Sequence, residues 1–203
     1  MTVVVDGLVV AAGLVVARFV TRAVRFGAAS RSGAVLADAG AEPNDVFTVF
    51  PCRLGDVLMR RAERDEAWLA GALVFSEDRP VSAMFIAPEA VRDRAVFVRA
   101  AQSEVAWLAP VSGRAGVPGR EPPSALEHDG VRFDRTRRRP VRVERLGSGV
   151  PEIGGRTVIA EYSGPGVERM VVVASDGAVL AWCGVALAEH DYDVLPAGPS
   201  PPE

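Results

Sequence analysis

Residues 157–187 read TVIAEYSGPGVERMVVVASDGAVLAWCGVAL, three apolar runs separated by two turn sequences. The runs TVIAEY, RMVVVA and AVLAWCGVAL contain the β-branched and aromatic residues that favour strands. GPG at 164–166 and SDG at 175–177 are typical of turns between paired strands. This stretch therefore predicts antiparallel strands joined by tight turns.

The same rhythm extends over most of the chain, because short apolar runs alternate with turn residues from Val46 onward. A shift of 75 positions also pairs Val96 with Val171 and Trp107 with Trp182, which indicates an internal duplication. The predicted fold is mainly β: two similar antiparallel β-meanders packed as a sandwich or as paired small barrels, preceded by one N-terminal α-helix.

Composition shifts divide the chain into segments. Gly, Pro and Ser cluster in residues 112–123, and the Pro-rich end predicts a disordered tail. The predicted organisation is an N-terminal helix (1–27), a linker (28–45), a first β half (46–111), a connector (112–123), a second β half (124–196) and a tail (197–203).

The N-terminal segment begins with an uncharged run, GLVVAAGLVVA at 7–17, that covers about half of the 20 or so residues a membrane span needs. Arg18, Arg22 and Arg25 follow on one helix face. Three alternatives stay open: a helix that spans or lies on a membrane, a helix docked on the protein's own core or on a second subunit, and a signal peptide. The candidate contact residues are Leu8, Val9, Leu14, Val15, Arg18, Phe19, Arg22 and Arg25.

Composition sets limits on location and partners. The 203 residues carry a formal net charge of −3, so no overall positive field favours nucleic acid or an acidic membrane. The two cysteines, Cys52 and Cys183, are too few for a disulfide-stapled secreted fold, although a single bridge between them stays open. We expect a cytoplasmic protein, attached to the inner membrane if the N-terminal helix contacts it; in that case the arginines after the apolar run place the β body on the cytoplasmic side.

The densest polar feature is the segment from Arg132 to Arg145, with seven arginines in fourteen positions. Residues 131–133 and 141–143 alternate like the arms of a hairpin, which would put residues 137–139 at its tip. Such a tip predicts an anion-binding surface for lipid headgroups or an acidic protein, with nucleic-acid binding and a merely solvated loop as alternatives. The candidate residues are Arg132, Arg135, Arg137, Arg138, Arg139 and Arg142.

Catalytic and metal-binding patterns are weak. Cys52, His128, Cys183 and His190 do not show the spacing of a zinc site, so neither a metal nor a cofactor is predicted. A small enzyme that uses Cys183, His190 and Asp191 requires these side chains to converge, whereas the apolar run around Cys183 favours a buried packing thiol.

Residues 46–196 resemble the bacterial domain of unknown function 4178. The motifs that carry the resemblance are LGDV at 54–57, DEAWL at 65–69, LEHDGV at 126–131 and the closing segment from 161 to 196. The resemblance implies a mostly β bacterial domain without an assigned reaction, sometimes preceded by a membrane segment.

Together these features predict a non-catalytic accessory or binding module. Its β body would engage an unidentified protein or anionic lipid through the arginine segment, and its N-terminal helix would tether it to the cytoplasmic face of a membrane or join copies of the chain.

Overall fold

Strands dominate the computed structural model, which describes residues 45–88, 93–111, 121–154, 156–176 and 178–198. Within these ranges it contains no α-helix, two 3-10 turns (Asp45–Phe47 and Glu189–Asp191) and twelve strands. The strands are β1 (Val57–Arg60), β2 (Glu66–Trp68), β3 (Gly71–Ser76), β4 (Pro80–Ala87), β5 (Arg94–Arg99), β6 (Val105–Pro110), β7 (Ala125–His128), β8 (Val131–Gly147), β9 (Thr157–Ser163), β10 (Glu168–Ala174), β11 (Val179–Leu187) and β12 (Tyr192–Leu195). The prediction of a mainly β fold is confirmed.

Eight of the strands close into one antiparallel barrel in the order β3-β4-β5-β6-β11-β10-β9-β8, with β8 pairing back to β3. Two four-stranded meanders, β3 to β6 and β8 to β11, are joined by the β6–β11 and β3–β8 pairs. The predicted sandwich or pair of barrels is therefore wrong in arrangement. Closure pairs the edge strand β3 of one meander with residues 142–147 of the edge strand β8 of the other, which leaves less unpaired edge than two open sheets would.

Side chains fill the barrel interior, as expected for an eight-stranded barrel. The interior cluster takes alternate residues from every strand of the barrel. Its bulkiest members are Leu73, Phe75, Met84, Ile86, Phe97, Leu108, Ile159 and Trp182.

The outer face of the barrel is also covered in two places. A three-stranded sheet, β12-β1-β2, packs on the first meander, where Leu58 and Tyr192 join Phe85 and Trp107 in a second buried cluster. On the second meander, β7 pairs with the start of β8, and Leu126 joins a third cluster. Since strands such as β3 are buried on both faces, their sequences are continuous apolar runs without alternation.

The small sheet also joins the two predicted halves, because β12 from residues 124–196 pairs with β1 from residues 46–111. The buried carboxylate of Asp56 then fixes the end of β12: its oxygens accept hydrogen bonds from the backbone N–H groups of Arg53 (2.9 Å) and Ala197 (3.0 Å). Ala197, predicted to begin a disordered tail, is thus held at the start of β1 in the small sheet.

The 75-residue correspondence does not preserve the direction of the side chains. Trp107 lies in the outer cluster, whereas Trp182 lies inside the barrel, and Val96 and Val171 differ in the same way. These residues are therefore not at equivalent positions of the two meanders, because a displacement of one residue along a strand reverses the face of every side chain.

Several predictions fall outside the described residues. These are the N-terminal helix with its candidate contact residues, nearly all of the linker, residues 112–120 of the connector and residues 199–203 of the tail. Within the part of the chain that the structure describes, no helix is long and apolar enough to cross a membrane.

Candidate anion-binding surface and barrel mouth

The predicted hairpin at Arg132 to Arg145 is wrong, because these residues form the single 17-residue strand β8. Residues 131–134 pair with β7, 134–141 with β9 and 142–147 with β3. Arg137, Arg138 and Arg139 therefore lie in mid-strand. The strand needs no turn here, because it finds a new neighbour each time the previous one ends.

A β-bulge at Thr136 divides the arginines of β8 between two surfaces. Arg135 lies opposite Tyr162, while Arg137 lies opposite the adjacent residue Glu161, so Thr136 is the extra residue of the strand. Tyr162 belongs to the third cluster outside the barrel, and Glu161 is directed to the barrel interior. The bulge thus turns Arg137 inward, and bulges at barrel rims commonly redirect a side chain in this way.

The outer arginines are held by specific partners. Arg138 donates two hydrogen bonds to the carboxylate of Glu121, at 2.6 and 2.7 Å, and this lowers the pKa of Glu121. Arg132 contacts Asp134 at 3.1 Å, and one guanidinium nitrogen of Arg135 donates to the backbone carbonyl of Pro122.

The arginines nearer β3 use the turn between β3 and β4. Arg139 contacts the carboxylate of Glu77 at 2.9 Å, and Arg142 donates to the backbone carbonyl of the same residue at 2.6 Å. Arg145 reaches the carbonyl of Val150 at 3.4 Å and lines an open depression of about 670 Å³ at the other end of the barrel.

The balance of charge along β8 is positive. Within the described ranges, its seven arginines form ion pairs with four carboxylates, those of Glu77, Glu121, Asp134 and Glu161, and the strand itself adds a fifth, that of Glu144. Arg142 and Arg145 contact backbone carbonyls in this part of the chain and no carboxylate. The strand therefore carries excess positive charge on a chain whose net charge is −3.

A second polar site lies at the end of the barrel where β5 and β9 end and β6 and β10 begin. Here charged side chains replace the apolar ones of the barrel interior. We call this group the mouth cluster; its members are Arg99, Glu104, Arg137, Glu161 and Arg169.

Glu161 is the fixed centre of the mouth cluster. Its side chain is 6% exposed, and Oε2 accepts a hydrogen bond from Nε of Arg99 at 2.6 Å. A guanidinium nitrogen of Arg137 lies 4.0 Å from Oε1, and the hydroxyl of Thr136 donates to the backbone carbonyl of Glu161 at 3.1 Å. A carboxylate this buried requires such partners, because an unpaired charge is costly in the interior.

Glu104 is held less tightly. Its carboxylate lies 3.8 Å from Arg99 and 3.7 Å from Arg169, and its side chain is 43% exposed. Beside it is a cavity of about 10 Å³, which is close to the space of one water molecule. As it stands, this cavity has room for about one water molecule.

Sequence reasoning missed most of the mouth cluster. Of its members only Arg137 was a candidate, because the other four come from separate strands and loops. A usable signal exists, because Arg99 follows the apolar run AVFV at 95–98 and Arg169 precedes the apolar run MVVVA at 170–174, so each places a charge at one end of an apolar strand.

The candidate catalytic residues are not brought together. Cys183 packs beside the third cluster; burial raises the pKa of its thiol, and the nearby charges that act on it are those of Asp129 and Glu168. His190 is 82% exposed and lies 3.4 Å from Asp191, whose carboxylate accepts a hydrogen bond from the backbone N–H of Ala188.

The described residues give no support to other chemistry. Burial strongly raises the pKa of the Cys52 thiol, so this cysteine is a packing residue. Both cysteines are free. No three His, Cys, Asp or Glu residues are grouped for metal binding among the residues that the structure describes.

The fold and these two sites define the class of the protein as a small closed β-barrel with an arginine-rich strand. No family model, curated protein or solved structure matches the chain. The resemblance to the domain of unknown function 4178 stays a prediction.

Proposed function

We propose that the chain is a non-catalytic binding module that engages an anionic partner through the arginines of β8 other than Arg137. The observation that carries the proposal is a positive balance along one strand: apart from the mouth-cluster pair Arg137 and Glu161, six arginines stand against four carboxylates, those of Glu77, Glu121, Asp134 and Glu144. Arginine favours this role because its planar guanidinium binds phosphate and carboxylate groups in two-point contacts.

Rigidity supports the proposal. The arginines are held on a strand that is paired along its length, with β7, β9 and β3 in succession, so binding would order little backbone. Their partners Glu77 and Glu121 are 43% and 65% exposed, so these ion pairs are screened by water and weak. An anionic partner would replace such carboxylates at low cost.

Attachment to a membrane is the remaining part of the proposal. The apolar and basic pattern of residues 7–25 would hold the module at the cytoplasmic face of a bacterial membrane, where β8 would meet acidic headgroups. If this segment docks on protein instead of a membrane, it would join two copies of the chain. Membership of the family of domains of unknown function 4178 is part of the same proposal.

The test measures binding of the full chain to vesicles of phosphatidylglycerol and phosphatidylcholine, compared with phosphatidylcholine alone, over a range of salt concentrations. The readout is the difference between the two vesicle types, because an apolar N-terminal segment would bind both. Arg142→Gln should weaken the anionic preference about fivefold, the effect of one basic residue near such a surface. Glu121→Gln should strengthen it, since Arg138 is released.

Arg156→Gln is the matched control, because Arg156 is exposed and lies outside β8. Equal effects of Arg142→Gln and Arg156→Gln would show that only net charge matters and would refute a β8 surface. Salt-sensitive retention on nucleic acid together with indifference to vesicles would assign the surface to a different partner.

A further inference from the structure

Three guanidinium groups meet two carboxylates in the mouth cluster, and only one of the contacts between them is tight. The Arg99–Glu161 pair is closed at 2.6 Å, whereas the contacts of Arg137 with Glu161 and of Glu104 with Arg99 and Arg169 range from 3.7 to 4.0 Å. The cluster carries one net positive charge and has unused hydrogen-bond donors.

Arg169 has the most capacity left. One of its terminal nitrogens donates to the backbone carbonyls of Gly166 (3.2 Å) and Glu168 (3.0 Å), and the other approaches Glu104 at 3.7 Å. Its side chain is only 20% exposed, so water compensates little of its charge. A guanidinium so placed favours a close anion more strongly than an exposed one does.

Glu104 occupies the place that such an anion would take. It lies between Arg99 and Arg169 at distances too long for hydrogen bonds, and it precedes β6 at the surface. The neighbouring cavity of about 10 Å³ admits one water molecule, so a larger guest requires Glu104 to swing into solvent. Glu161, in contrast, is buried and tightly bonded and stays in place.

We propose that the barrel mouth is a binding site for a phosphate monoester group, which displaces Glu104 and is held by Arg99, Arg137 and Arg169. With Glu104 turned outward, the three arginines and Glu161 leave a charge of +2. A phosphate monoester carries about −1.5 to −2 near pH 7 and balances this charge, whereas a carboxylate balances half of it. The site differs from the surface formed by the other six arginines of β8, and its decisive residues, Arg99, Glu104 and Arg169, lie on other elements.

The first experiment titrates the full chain with inorganic phosphate in a phosphate-free buffer by calorimetry. Glu104→Gln removes the internal competitor, and we expect it to raise the affinity about fivefold, the upper size of a partly exposed ion-pair effect. Arg169→Gln should lower the affinity at least tenfold, and Arg169→Lys should recover part of the loss. Acetate should bind more weakly than phosphate to every variant.

A vesicle arm separates the two sources of a phosphate monoester. Phosphatidic acid presents such a group on a lipid and phosphatidylglycerol does not, so the two lipids are compared at equal surface charge. Preference for phosphatidic acid that Arg169→Gln abolishes identifies a headgroup site, while phosphate binding without that preference identifies a soluble phosphate ester.

Two outcomes overturn the inference: no phosphate binding by either the native chain or Glu104→Gln, or an equal loss in Arg142→Gln and Arg169→Gln. Glu104 is exposed, so its variant keeps the test decisive even if Arg169→Gln fails to fold. A β8 surface is tested separately, because Arg142→Gln should change binding to phosphatidylglycerol vesicles and leave phosphate titration unaltered.

Discussion

Replacing Glu161 by glutamine should destabilise the barrel strongly, because the change leaves two arginines around a neutral amide at a position that is 6% exposed. The substitution removes the 2.6 Å hydrogen bond between Nε of Arg99 and a carboxylate and the weaker attraction to Arg137. Breaking a buried ion pair from one side costs about 3–5 kcal/mol. Since Arg99 is 23% exposed and partly rehydrates, we expect about 3 kcal/mol.

Denaturation by urea, followed by tryptophan fluorescence, measures this loss, because Trp107 and Trp182 are both buried. For a chain of this size, the same loss corresponds to a fall in Tm of about 6–12 °C. Glu104→Gln is the matched control and should cost less than about 1 kcal/mol, since its ion pairs are long and partly exposed. A loss below 1 kcal/mol for Glu161→Gln would refute a buried ionic centre.

Three further predictions concern packing and ionisation. Gly184→Ala should lower the free energy of unfolding, measured by urea denaturation, by about 3 kcal/mol, because a Cβ there would collide with the backbone of β6. Gly154→Ala is the control, since the space around Gly154 is open, and an equally small loss in both variants would contradict the prediction. In the folded chain Cys183 should react slowly with a thiol reagent and Cys52 only on unfolding, since burial raises the pKa of both thiols. The Cys183→Ser variant retains only Cys52, so a rapid reaction of this variant in its folded state would contradict the prediction. Burial raises the pKa of Tyr162 to about 12, whereas an unfolded tyrosine ionises near pH 10. The stability that this residue contributes is therefore fully present below pH 10 and should be lost between pH 10 and 12. Tyr162→Phe should reduce that loss, and an unchanged loss would exclude Tyr162 as its source.

Local chemistry was enough to predict the strands. The runs in residues 157–187 correspond to β9, β10 and β11, the predicted turn at 164–166 lies between β9 and β10, and Ala174 at the end of β10 pairs with Val179 at the start of β11. The same local reasoning wrongly predicted a hairpin in the arginine segment from Arg132 to Arg145. A polar run turns or continues according to which strands lie beside it, and β8 continues because β9 and β3 take up its hydrogen bonds in succession.

The sequence by itself determined a mainly β domain, the approximate place of most strands and the presence of a concentrated positive charge. Only the tertiary structure decided that the strands close into one barrel, that Trp182 points inward and Trp107 outward, and that the charges of four chain segments meet at the mouth. The physical reason is that this barrel is buried on both its inner and its covered outer faces. Apolar residues on both sides of a strand remove the alternation that marks the inside, and the bulge at Thr136 shifts the alternation within the arginine-rich strand.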